Sequence, residues 1–291
     1  MTALHILNLG AGVQSTALAL LAAEGSLKQA DGTVVQLDAA IFADTGEEPQ
    51  DDGVSVYTHL SWLASKTAHA FPTLVRSVGG RLGDHLQTGR NGTGGRFASI
   101  PAYTLRPDGT EGRTRRHCTR EYKIDVVERA IRRDVLGLKP RQRIPKDARV
   151  HQYIGISLDE IGRMLRARQR PAKPWTTLHY PFCEWLAWTR ADCRAYLKDR
   201  VPHRVPRSAC TFCPYHSNEE WQAIKARNGA DWKRAVQIDE ALRLPGNVVN
   251  RNLEQQLFLH RSCKPLASID FASDSNGERE MAGECEGMCG N

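Results

Sequence analysis

The amino-acid sequence predicts an α/β protein whose core is a parallel sheet. Three observations carry that expectation. Short apolar runs recur at 4–9, 37–42, 73–78 and 151–156; stretches of helical periodicity separate them; and the first run passes through glycines directly into a helix-forming segment. Strands that alternate with helices join by right-handed crossovers, which builds a parallel sheet with helices packed on it.

Taken in order, Leu4-His-Ile-Leu-Asn-Leu9 reads as the first strand, Gly10-Ala-Gly12 as a turn, and 15–24 as the first helix. The second strand ends in Ala43-Asp44-Thr45-Gly46-Glu47-Glu48, and 51–68 has the period of a helix. The third strand is 73–78, a helix follows over 121–136, and the fourth strand is 151–156. Between 79 and 116 the chain is glycine-rich and polar without periodicity, which predicts an active-site lid or disorder. Past Pro171 short helices are expected at 189–198, 218–227 and 231–242. The expected organisation is a sheet domain over 1–160, a helical cysteine-bearing region over 161–269, and a mobile acidic tail over 270–291.

Composition narrows the function. With 291 residues, 41% hydrophobic and 25% charged, the chain can bury a core without disulfide staples, and a mostly disordered chain is excluded. No apolar run is long enough to span a membrane, and the start lacks a signal-peptide pattern, so a soluble cytoplasmic protein with no membrane partner is expected. The net charge of +7 is concentrated in the middle: residues 106–149 carry 14 Lys or Arg against 7 Asp or Glu. Arg163, Arg166, Arg168, Arg170 and Lys173 follow without an acid among them. Such a middle suits nucleotide phosphates or nucleic acid; a solvated surface is the bland alternative. Arg113, Arg115 and Arg116, with the 163–173 stretch, are the expected polyanion face.

Eight cysteines at irregular spacing in a reducing compartment point to metal or redox chemistry rather than a disulfide framework. Ser208-Ala-Cys210-Thr-Phe-Cys213-Pro-Tyr215 is a compact bidentate chelator, and Cys118 and Cys193 are single thiols that could complete a four-thiolate site. Four thiolates suit zinc as well as iron–sulfur. Cys183 and Cys263 read more readily as small core residues than as ligands. The tail holds Cys285 and Cys289 among Glu284 and Glu286, surroundings that disfavour thiolate unless the tail meets the basic middle.

Gly10-Ala-Gly-Val-Gln-Ser15-Thr16 lies between a strand and a helix, where small residues let backbone N–H groups approach phosphate oxygens. It is neither a Walker A loop nor a dinucleotide fingerprint. This strand–loop–helix resembles the PP-loop of the ATP pyrophosphatase and PAPS reductase superfamily, the adenine nucleotide alpha hydrolase-like fold, although Leu9 stands where that loop has its first serine. Phe42-Ala-Asp44-Thr-Gly-Glu47 resembles the family's adenosine-side segment, and His117-Cys118-Thr-Arg-Glu-Tyr-Lys123 its reductase-like Cys-to-Lys signature. Ser-Ala-Cys-x-x-Cys-Pro-Tyr resembles phage and bacterial reductase-like proteins and the DNA phosphorothioation sulfurtransferase.

The resemblance implies a bound adenine nucleotide, ATP or PAPS, on Gly10, Gly12, Ser15, Thr16, Asp44 and Gly155. It implies a 4Fe-4S cluster on Cys118, Cys193, Cys210 and Cys213, with zinc as the alternative, and catalytic roles for Cys118, Lys123 and Cys285. The activity implied is an ATP-utilising sulfurtransferase that adenylates an acceptor, with nucleic acid as a candidate acceptor and a sulfur-donor protein as a candidate partner. A PAPS or adenylyl-sulfate reductase using a tail cysteine is a second reading, and a nucleic-acid-binding protein with structural zinc a third. Asp44 also reads as a helix cap or turn residue, and Arg120 and Lys123 as solvated helix charges.

Overall fold

In a computed structural model, which describes residues 3–50, 53–88, 100–171, 173–244 and 255–272, the first apolar run forms β1 (Leu4–Leu9) and its glycines lead into α1 (Val13–Ala23). All of α1 from Val13 to Ala22 is buried, its polar first turn of Gln14, Ser15 and Thr16 included. β2 (Ala39–Ala43) and β3 (Thr73–Arg76) bracket α2 (Val56–Thr67), whose cap Ser55 accepts a hydrogen bond from the Thr58 N–H. The chain continues through α3 (Leu82–Thr88), β4 (Tyr103–Leu105) and β5 (Glu111–Arg113). The helix after Cys118 opens as a π turn over Thr119–Ile124, runs as α4 (Asp125–Ala130), and closes in a second π turn over Ile131–Val135. β6 (Val150–Ile154), a 3-10 turn over Leu158–Glu160, α5 (Ile161–Arg168), β7 (Thr176–His179), α6 (Pro181–Glu184) and α7 (Arg190–Leu197) follow. α8 (Asn218–Arg227), α9 (Ala230–Ala241) and β8 (Gln256–Phe258) complete the elements used below.

Five strands form one all-parallel sheet in the order β3-β2-β1-β6-β7, a Rossmann-like arrangement. Alternation along the strands sends side chains to two cores. Leu7, Leu9 and Tyr153 pack with α1, α2 and α7 on one face, whereas Ile6, Ile41 and Val150 pack with α4 on the other. A second, antiparallel sheet in the order β5-β4-β8 shares a separate core with α3, α8 and α9 around the fully buried Trp221. Among the described residues no helix is long and apolar enough to cross a membrane.

Two expectations need correction. The main sheet does not stop at 160: β7 pairs with β6, and Cys193 and Leu197 of α7 join the α1 core. β7 carries no apolar run, because it is a four-residue edge strand with two exposed positions. The 79–116 segment is not featureless, since α3, β4 and β5 lie in it and β4 is ordered by pairing with β8 from far along the chain. Residues 89–99, and the tail from 273 onward with Cys285 and Cys289, lie outside the described residues.

Candidate functional site

The strand order reverses direction between β1 and β6, and open parallel sheets take ligands in the crevice outside the carboxyl ends at such a point. Two loops meet there. After β1, Ala11 adopts the left-handed φ of 55° and Gly12 caps α1 in an extended conformation, with no side-chain cap and no acid in the first turn. The leading N–H groups of this buried helix thus have neither a side-chain cap nor an acid of their own first turn. After β6 comes Gly155, where a Cβ would lie 2.9 Å from the Ser15 nitrogen and 3.1 Å from the Gln14 carbonyl carbon. Only glycine lets the two loops touch.

Gln14 bridges them further, donating to Ser157 Oγ at 3.2 Å and Glu160 Oε2 at 2.9 Å, while Glu160 holds the buried Arg163 at 2.6 Å. Ser15 donates its hydroxyl to the Gly12 carbonyl at 3.2 Å. Thr16 is fully buried, with Oγ1 2.9 Å from His59 Nε2. Its hydroxyl is directed to that histidine, so the residues expected around a phosphate divide into Gly10, Gly12 and Ser15 at the loop and Thr16 behind it.

Asp44 is a turn residue here. Its Oδ1 accepts from the Gly46 N–H at 2.7 Å and from the Tyr57 hydroxyl at 2.9 Å. Burial and the neighbouring carboxylate push the Tyr57 hydroxyl far above the ordinary tyrosine range, which keeps it a donor.

Cys210 and Cys213 fold back over the loop that leaves β2. The Thr211 N–H and hydroxyl both donate to the Glu47 carbonyl, at 2.8 and 3.0 Å, and Cys210 Sγ lies 3.4 Å from Thr45 Oγ1. Cys118 packs against the same core as these two thiols. Lys123, one turn further along the helix, is buried, and exposed Arg120 faces Asp125 at 3.8 Å. Cys193 is not with them: it is fully buried in the α1 core, a small apolar residue on the inner face of α7. The four expected ligands are thus split three and one. Among the described residues no three His, Cys, Asp or Glu side chains stand together as a metal site, and none of the six described cysteines forms a disulfide. Cys183 donates to the Ile156 carbonyl at 3.3 Å, and burial pushes its thiol up to about 11; burial raises Cys263 as well. Both are thiols of the packing rather than nucleophiles.

A groove of about 1190 Å³ begins at Val13, the first residue of α1, and runs past α7 to Ala209 and Tyr215 beside the CxxC turn. Its walls are cationic. Exposed Arg194, Lys198 and Arg204 line it and make no ion pair among the described residues. Arg113, also on the wall, and Arg116 flank the Tyr215 ring at 5.7 and 5.3 Å from its centre. The 163–173 stretch, by contrast, is largely neutralised: Arg163 pairs with Glu160, Arg168 with Glu184, and Lys173 with Glu128. The basic surface therefore belongs to the groove. Its sequence signal was Arg190, Arg194 and Lys198, spaced by four along one face of α7, and a count of charge runs passes over it. No family model matches the chain, and neither a curated protein nor a solved structure matches it.

Proposed function

We propose that this chain is an ATP-utilising sulfurtransferase of the PP-loop type, which adenylates an acceptor and replaces an oxygen by sulfur. The observation that carries the reading is the uncapped, buried start of α1 at the sheet's switch point, closed from the other side by Gly155. ATP phosphates are held by backbone N–H groups of the 10–15 loop, where the helix dipole also favours negative charge. An oxygen of the acceptor attacks the α-phosphate, pyrophosphate leaves, and a sulfur nucleophile then displaces AMP. Cations near the loop stabilise the charge that develops on the phosphate.

Cys118, Cys210 and Cys213 are the residues that would hold a 4Fe-4S cluster or zinc. Among the described residues they do not stand together as a metal-binding group. Anaerobic purification with iron, sulfide and zinc assays tests that assignment directly.

The nucleotide reading is tested by calorimetry and by pyrophosphate release. Gly12→Val should obstruct the approach of phosphate to the backbone, weakening ATP binding at least about tenfold while urea unfolding still shows a cooperative fold. Equal ATP affinity in variant and parent removes the loop from the site. Sulfite release from PAPS, without pyrophosphate release from ATP, replaces the proposal by the reductase reading.

A further inference from the structure

Three histidines line the cationic groove, and they differ in what their ring nitrogens face. His260 is committed through both nitrogens, Nδ1 to Ser262 Oγ at 2.8 Å and Nε2 to Asn218 Oδ1 at 3.0 Å. His216 has Nε2 3.0 Å from the Cys210 carbonyl, and its Nδ1 is buried 3.5 Å from Glu220 Oε2, turned away from solvent. His203 has Nε2 2.9 Å from His59 Nδ1, and its own Nδ1 has no partner among the described residues. Behind it the chain of contacts continues. Fully buried His59 reaches Thr16 Oγ1 through its other nitrogen, and Trp62 stacks on His59 at 5.6 Å and meets His203 edge-on at 5.4 Å. Both imidazole planes are fixed.

The geometry points to His203 as the proton acceptor of this groove, taking the proton from a hydroxyl nucleophile on an anionic acceptor held by the surrounding cations, with His59 and Thr16 as positioning residues. The inference rests on the ATP-utilising reading above for the identity of the electrophile. Two proton arrangements satisfy the chain. In one, the Thr16 hydroxyl donates to His59 Nε2, His59 Nδ1–H donates to His203, and His203 carries its proton on Nδ1. In the other, His59 Nε2–H donates to Thr16 and His203 Nε2–H donates to His59, so His203 Nδ1 presents a lone pair. Arg194, Lys198 and Arg204 line the same groove, Arg207 there is paired with Glu220, and the excess of positive charge favours the lone pair over an N–H. Burial lowers the pKa of both imidazoles, His59 to about 4, so both are neutral at physiological pH. A neutral base oriented by a second buried group is the arrangement that general-base catalysis requires.

The step balances without a further reagent. The nucleophile's O–H proton passes to His203 Nδ1 as its oxygen bonds to the α-phosphorus of ATP. The bond to the bridging oxygen breaks, and the electron pair leaves with pyrophosphate. The imidazolium then returns its proton to solvent in the groove.

The test uses the full chain with ATP, Mg²⁺ and a mixed-sequence single-stranded oligonucleotide as the polyanion probe, with water or the terminal hydroxyl as nucleophile. His203→Ala should slow pyrophosphate release about 100-fold with unchanged ATP affinity, and added imidazole should restore part of the rate. His59→Gln should lose less and should not respond to imidazole. Independently of turnover, ¹⁵N NMR of the parent at neutral pH should show His203 protonated at Nε2 and bare at Nδ1. An Nδ1–H tautomer, a parental rate in His203→Ala, or a loss that imidazole does not rescue overturns the assignment to His203 alone. A parent that releases no pyrophosphate overturns the ATP reading, and the catalytic role of His203 with it.

Discussion

Two glycines separated by a single turn of 3-10 helix show how differently one residue type can be used. At Gly155 an added Cβ meets backbone of α1 at 2.9 Å, a contact that no side-chain rotation relieves. Gly155→Ala should therefore cost on the order of 1–3 kcal/mol, through displacement of the first turn of α1, and should weaken ATP binding with it. At Gly162, inside α5, the nearest atom to an added Cβ is the end of the flexible Arg166 side chain at 3.7 Å. Gly162→Ala should stabilise by up to about 1 kcal/mol, because alanine has less backbone freedom to lose. Urea unfolding of the two variants reads both signs, and equal midpoints would deny the close approach at 155. The resemblance named Gly155 for the nucleotide, but its close approach to α1 is visible only where the loop after β6 meets that helix. The same holds for cysteine. Cys193 and Cys118 are both single thiols beside helices, but Cys193 sits on the inner face of α7 and Cys118 against the core that holds the CxxC turn.

At the scale of elements, the loop leaving β2 ties both halves of the molecule together, and Glu47 is its centre. The carboxylate is buried and accepts from Arg234 at 2.7 and 3.2 Å, from Arg81 at 3.2 Å, and from the Gly83 N–H at 2.9 Å, while its own carbonyl receives Thr211. α3, α9 and the CxxC turn thus converge on one side chain. Glu47→Gln takes the bidentate carboxylate from Arg234, which keeps Asp84 at 2.6 Å, and should cost about 2–3 kcal/mol. Arg81→Gln removes a half-exposed partner and should cost about 1 kcal/mol or less. Denaturant melts that place both losses together would remove Glu47 from the centre of this junction. Elements with a local signal were legible in the sequence. α8 begins at its capping box, Ser217 with Glu220, and α7 at Thr189 with Asp192, both close to their expected bounds. β1, α1 and β2 were readable from periodicity alone. β7 was not, since an edge strand needs no apolar run, and neither was the groove, whose cations come from β5, α7, α8 and the segments between. Glu47 stood out only as the end of the Phe42-to-Glu47 segment, and its role as a junction is hidden because its partners lie far along the chain.

Across the whole molecule, buried histidines make the fold sensitive to acid. Burial lowers the pKa of His59 to about 4, with the neighbouring His203 contributing, and it lowers His203, His151 and His179 as well. In the unfolded chain these rings titrate near about 6.5, so on acidification the unfolded state takes up protons that the native state refuses. The stabilisation is complete above the unfolded value and is lost as pH falls toward the folded one. For His59 alone the shift corresponds to about 3 kcal/mol, of which about 2 kcal/mol has gone by about pH 5. Most carboxylates are still ionised at about pH 5, which separates this loss from ordinary acid denaturation. The second group lies across β1, β6 and β7, where His151 Nδ1 lies 2.8 Å from His179 Nε2 and the His5 ring stacks on His151 at 5.0 Å. Those rings join β1, β6 and edge strand β7, so protonation there should loosen the edge first. Urea unfolding at about pH 7 and about pH 5 should show a fall of at least about 2 kcal/mol in the parent. His59→Gln should start less stable and fall by correspondingly less, because glutamine keeps a hydrogen bond but takes no proton. Hydrogen exchange at about pH 5 should show the amides of β7 opening before those of β1. Equal stability at the two pH values, or an unchanged slope in His59→Gln, would mean that these imidazoles are more solvated in the native chain than their packing against Trp62 and Trp185 indicates.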